Sequence, residues 1–211
     1  MKVVVGQAEN IDTRNAVRSV ISQCQAQLAG RRPRSGILMA GVEYDHAQVL
    51  AAVQEAFPDL PLVGCTTAGE MASAVGFSDD SLALMLFCSG QLAFGAGRGL
   101  ALSQDPEAAV AQALAMARDS LPGPEQLCLV FCEGVSAPAH LAVQSLNRRV
   151  ARGCAVFGGV AAHPWHIETD THQFCNDELL EDAIVVLLVQ GPIRFRFSVC
   201  NSWQPVGQRA P

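Results

Sequence analysis

The sequence predicts an α/β domain, internally duplicated into two pseudo-symmetric halves, with mixed sheet pairing and helices covering the strands. Three observations carry that expectation. The series Pro61 to Glu70 then Asp80 to Gly90 is answered by Cys154 to His163 then Asp182 to Gly191. Aligning Gly64 with Gly158 and Gly90 with Gly191 gives offsets of 94 and 101, so flanking elements correspond while the intervening loops differ. Second, brief apolar runs bounded by turn residues alternate with amphipathic stretches headed by Asp, the pattern of strands interleaved with helices. Third, 211 residues that are 50% hydrophobic and 16% charged can bury a substantial core. The half-repeats fall at about 1–100 and 101–211, and a site between them is the first functional expectation.

Taken in order, Lys2 to Val5 reads as a strand, and Asp12 or Thr13 caps a helix carrying Val17, Val20, Ile21, Cys24 and Leu28. Gly36 to Gly41 is a buried strand. Asp45 caps the next helix, with Val49, Leu50, Val53 and Phe57 apolar, and Pro58 ends it. Leu62 to Cys65 is the strand that follows. The second half repeats this order: Asp105-Pro106-Glu107 starts a helix with core residues Val110 and Leu114, and Leu127 to Cys132 is a strand. Ser136 caps a helix with Leu141, Leu146 and Val150, before a strand from Ala155 to Gly158. Each half is then expected to close with a strand pair. Leu82 to Cys88 joins Leu92 to Gly99, and Ala183 to Val189 joins the alternating Ile193 to Val199 through Gly191-Pro192. Gly95, Gly97 and Gly99 share one face, suited to close approach by a ligand or another backbone, or to a bulge.

Composition limits the function classes. A net charge of −6, with no dense basic run beyond Arg31-Arg32-Pro33-Arg34, argues against nucleic-acid binding. The N-terminus lacks a signal peptide's apolar core, and no apolar stretch approaches the roughly 20 residues needed to span a bilayer. A soluble cytoplasmic protein with no membrane association is expected. The eight cysteines sit mostly inside apolar runs, as reduced core thiols do. Cys128 and Cys132, four residues apart on one strand, are too far apart to share a zinc ion or a disulfide. His163-Pro-Trp-His166 with His172 lacks partners at zinc spacing, so no metal site is expected. There is no phosphate loop, nucleophile elbow or spaced acid and base pair, and the chain reads as a binding protein and not an enzyme.

The chain resembles the N-terminal module of the FIST family, a sensory domain of bacterial and archaeal signalling proteins. The resemblance rests on Gln7 to Ala16, Gly64-Cys-Thr-Thr-Ala-Gly-Glu70, Asp79 to Leu82, Phe157-Gly-Gly159, Gln173-Phe-Cys-Asn176 and Ser202 to Gly207, in order over nearly the whole chain. Cys175 stands where an aromatic is usual, and Asn201-Ser202 replaces the usual glycine before Trp203. The family usually continues into a C-terminal domain, which is expected to be absent from this chain. The resemblance implies sensing of a small ligand, with amino acids the usual proposal, coupled to a signalling partner such as a histidine kinase, cyclase or chemoreceptor module. Some similar proteins are described as haem-binding nitric oxide sensors, which makes haem the alternative to a cofactor-free site.

Cys65, at the C-terminal end of a strand, precedes the small residues Thr66, Thr67 and Gly69, and then Glu70. At such an edge backbone groups are open to a carboxylate while Glu70 offers a partner for an amine. A structural turn with a buried thiol is the competing account. Gly158 and Gly159 stand in the equivalent turn, facing the same cleft or serving close packing, and Gln173 and Asn176 add amides that orient a polar ligand or close a turn.

Overall fold

The computed structural model describes residues 1–211 except 74, 136, 164–170, 197 and 199–211. The first half holds β1 (Lys2–Glu9), α1 (Thr13–Leu28), β2 (Ser35–Ala40), α2 (His46–Ala56) and β3 (Leu62–Thr66). A short hairpin, β4 (Glu70–Ala72) and β5 (Gly76–Ser78), and the long β6 (Ser81–Cys88) follow. Then come β7 (Ala93–Leu100), α3 (Pro106–Arg118), β8 (Leu127–Cys132), α4 (Ala139–Arg149) and β9 (Ala155–Val160). A second hairpin, β10 (Gln173–Cys175) and β11 (Glu178–Leu180), leads to β12 (Ala183–Gln190).

The helices start where their caps dictate. Asp12, Asp45 and Asp105 each accept the backbone N–H three residues on, at 2.9, 3.0 and 3.0 Å, satisfying a donor the helix itself cannot. At α4 the cap position is Pro138, with no side-chain bond, and Ser136 lies outside the described residues. Its buried face is Ala142, Ser145 and Leu146, whereas Leu141 is 41% exposed. The expected core role of Leu141 is therefore corrected: the helix turns that position outward.

Two mixed sheets form, in the orders β1-β6-β2-β3-β10-β11 and β7-β12-β8-β9, with β4-β5 a separate pair. Within them β2 runs parallel to β3 and β8 to β9, while the other pairings are antiparallel. Three cores result. α1 and α2 cover one face of the first sheet through Val17, Val20, Val49 and Leu50 against Leu38, Leu84 and Leu86. α3 and α4 cover the second sheet through Val110, Leu114 and Leu146 against Val186 and Leu188. Between the sheets, Val63, Cys65 and Cys175 meet Phe94, Phe131, Val185 and Leu187. The layering is helix, sheet, sheet, helix. Because β12 is buried on both faces, its sequence reads as one unbroken apolar run.

Two expected closing pairs do not form. β6 pairs with β1 and β2, and β7 pairs with β12 along its whole length. The reason lies in the three glycines of β7. A Cβ at Gly95, Gly97 or Gly99 would lie 1.9, 2.1 or 1.8 Å from the carbonyl oxygens of Ala117, Ala113 and Ala109. That face is pressed onto the backbone of α3, so β7 belongs with α3 and its sheet. Neither a ligand nor a bulge accounts for them. The described residues 193–196 and 198 are not strand, and the rest of the expected last strand lies outside the described residues.

Candidate functional site

The residues singled out by sequence fall into three places. Thr67, Gly69 and Glu70 form the rim of a 560 Å³ cavity on the face of the first sheet opposite its helices. Its floor is Val5, Ile37, Met39, Ala83 and Met85, the outward-facing positions of β1, β2 and β6. Met71, Ala72 and Ser73 of the β4–β5 hairpin form one wall. The second sheet leaves this area open because it packs over β3 and β10, toward the other end of the strand order.

Glu70 is 3% exposed. Its Oε2 accepts from the Ser81 N–H at 3.1 Å and the Ser81 hydroxyl at 2.5 Å, and its Oε1 accepts from the Thr67 hydroxyl. Gln7 donates to Ser81 Oγ at 3.1 Å and to the Glu70 carbonyl at 3.4 Å. Burial pushes the Glu70 carboxyl up from the usual range, against the downward pull of the Ser81 and Thr67 hydrogen bonds. Among the residues lining the cavity it is the single titratable side chain. Gly69 has φ of +144°, and the ring of Phe77 lies 2.7 Å from where a Cβ would stand, so glycine is required for the turn to fold under the hairpin.

Cys65, Thr66, Gln173 and Asn176 occupy the seam between β3 and β10 instead. Cys65 faces the intersheet core, where burial pushes its thiol up to about 12. Thr66 Oγ1 accepts from the His172 N–H at 3.0 Å. Gln173 Oε1 accepts from the Ala183 N–H at 3.1 Å. Asn176, at φ of +56°, bonds Leu62 twice: its N–H donates to the Leu62 carbonyl at 2.8 Å, and its Oδ1 accepts from the Leu62 N–H at 3.2 Å. Thr66 and Asn176 tie the second hairpin to β3, and Gln173 ties it to the start of β12. Gly158 and Gly159 line a third place, a 270 Å³ apolar cavity between α4 and β9. A single cleft joining Glu70, Gly159 and Asn176 is therefore not what the geometry brings together.

The residues that sequence reasoning missed are the cavity floor. Met39 and Met85 sit at alternate positions of strands read as buried on both faces, and that uniform apolarity hid which face stays open. Haem would need an axial side chain beside a broad apolar pocket. No histidine lines either the 560 Å³ or the 270 Å³ cavity, and His46 is committed by its Nε2 to the Gly41 carbonyl at 3.0 Å, so these sites do not fit the group. His166 lies outside the described residues. Among the described residues, no group of three or more His, Cys, Asp or Glu side chains is placed to hold a metal, and no helix is long and apolar enough to cross a membrane.

Comparison with known proteins settles the family. The model of the FIST N domain matches residues 35–211, most of the chain. The chain belongs to the FIST family. FIST domains are sensory domains of signal-transduction proteins. No curated protein matches the chain. A solved structure to which it is similar is a cyanuric acid hydrolase from A. caulinodans, at 12% identity and a TM-score of 0.39, over 89% of this chain and 67% of that one. A likeness that slight bears on neither the fold nor the chemistry.

Proposed function

We propose that this FIST domain senses a small metabolite, an amino acid with an apolar side chain, held in the cavity on the open face of the first sheet. The observation that carries the reading is the pairing of an apolar floor, with Met39 and Met85, and one buried carboxylate at the rim, Glu70. An ammonium group brought to Glu70 would gain a charge-assisted hydrogen bond in a desolvated place. The apolar side chain would cover the methionines, whose flexible thioethers adapt to several shapes. Binding, not catalysis, is the proposed role. Its support is that Glu70 is the single titratable side chain lining the cavity, while the nearby Cys65 thiol faces the intersheet core and not the cavity.

The hairpin β4–β5 forms a wall of the cavity and is joined to the fold through Glu70, so occupancy would order it and alter what it presents to a partner. A histidine kinase, cyclase or chemoreceptor module in the cytoplasm is the proposed recipient. Calorimetric titration of leucine, methionine and phenylalanine against the protein and against Glu70→Gln tests the reading. The native protein should bind at least one of them. Glu70→Gln should bind roughly tenfold or more weakly, since a hydrogen bond to a charged group is worth on the order of 1.5–3 kcal/mol. Equal affinity in the two proteins removes Glu70 from the site, and failure of all three to bind the native protein refutes the apolar amino acid.

A further inference from the structure

β1 ends the six-stranded order, yet the outward backbone groups at its middle are taken. Two side chains of α1 meet them. Gln23 Oε1 accepts from the Gln7 N–H at 3.1 Å, and its Nε2 donates to the Gln7 carbonyl at 3.0 Å. Gln27 repeats the arrangement at Val5, accepting from the N–H at 3.4 Å and donating to the carbonyl at 2.6 Å. Strand alternation then leaves Val4, Gly6 and Ala8 to bond β6 on the inner side.

An amide that both accepts and donates at one residue does what the opposite residue of an antiparallel strand would do. The spacings agree: residues four apart on a helix are separated by about 6 Å along its axis, and residues two apart on a strand by about 6.7 Å. Gly6 lets the helix come close enough, since a Cβ there would lie 2.4 Å from the Val20 carbonyl. Gln23 is steadied by donating to Ser19 Oγ at 3.2 Å, and Lys2 donates to the Gln27 carbonyl. Both glutamines sit at the surface, Gln27 exposed and Gln23 half-buried, so water competes for their bonds. The covering is made of two side chains and not of a backbone strand.

We propose that Gln23 and Gln27 act as a substitute strand that keeps β1 from pairing with β1 of a second copy of this chain. β1 is held in register with β6 from Lys2 to Glu9, and its Val-Val-Val run favours a strand, so uncovered it is an edge of the kind that joins to another. An antiparallel edge is its own complement about a two-fold axis. With Gly6 on the axis, Val5 of one copy lies opposite Gln7 of the other. Each copy would then offer its partner the same four backbone groups that the two glutamines now hold. That register sets no like charges opposite one another. The device involves no ligand, so it stands or falls apart from the ligand reading.

Sedimentation equilibrium across a concentration series tests it, on the native protein, on Gln23→Ala with Gln27→Ala, and on that pair combined with Val5→Pro. Alanine is the stronger helix former, so α1 is retained, and circular dichroism checks that each variant is folded. The alanine pair should self-associate roughly tenfold or more tightly than the native protein. Adding Val5→Pro, which deletes an outward N–H and none that bonds β6, should abolish the gain. Gln23→Glu with Gln27→Glu leaves charge at the edge, which opposes pairing, and should associate no more than the native protein does. An alanine pair no more associated than the native protein, or a gain that is equal in the glutamate pair or undiminished by Val5→Pro, overturns the proposal.

Discussion

At residue scale, Glu70 and Gln173 do the same structural task with different side chains, each accepting the first N–H of the long strand that follows. Glu70 performs it under strain from burial, which raises its pKa in the fold. A carboxyl raised in the folded state contributes most to stability below its ordinary pKa and loses that contribution as the pH rises through the folded value. Glu70→Gln installs the amide that the second half already uses. The variant should melt higher than the native protein at neutral pH, with the gap closing as the pH falls below the ordinary Glu range. Thermal melts over a pH series check it, and a gap independent of pH would show that burial of charge is not what Glu70 contributes. The role of Glu70 as a buried acceptor was not legible in the sequence, because its partner Ser81 lies across a hairpin that the sequence shows only as a polar interval.

At element scale, the glycines of the twin parallel strands separate two kinds of position. Gly158→Ala would drive a Cβ into the Val130 carbonyl and force β8 and β9 apart, which costs about 1–3 kcal/mol as overpacking does. Gly159→Ala meets nothing within 4 Å among the described residues and should change stability by less than about 0.5 kcal/mol. Urea unfolding of both variants distinguishes them, and equal costs would mean the backbone approach at Gly158 is relaxed in solution. The same denaturation series should find Asp105→Ala about 1 kcal/mol less stable, the cost of a lost N-cap. Caps and apolar periods were legible because they are local: Asp12, Asp45 and Asp105 each meet a donor three residues away. Strand partners were not, since β7 finds β12 some eighty residues on and nothing in the local sequence distinguishes that partner from the nearby β6. The hairpins escaped notice for another reason, namely that three-residue strands are too short to display an alternation.

At the scale of the whole molecule, the orders β1-β6-β2-β3 and β7-β12-β8-β9 follow one connectivity. Gly64 and Gly158, aligned in the sequence, each lie on the second strand of a parallel pair, while β7, expected beside β6, pairs with β12. If the halves are related units, the layer between the sheets decides whether they fold as one body. Leu187 sits there, fully buried on β12, while the faces toward the helices are separate cores. Leu187→Ala should cost about 2–5 kcal/mol, through lost burial and the cavity left behind. The more telling expectation concerns where that loss appears. With a shared intersheet layer, amide protection should fall together in β2 of the first sheet and β8 of the second, as in one cooperative unit. Hydrogen exchange read by mass spectrometry over peptides covering both strands measures this. Retained protection in β2 with loss confined to β8 would show two halves that unfold independently, and the intersheet layer would then be an interface between domains and not a common core.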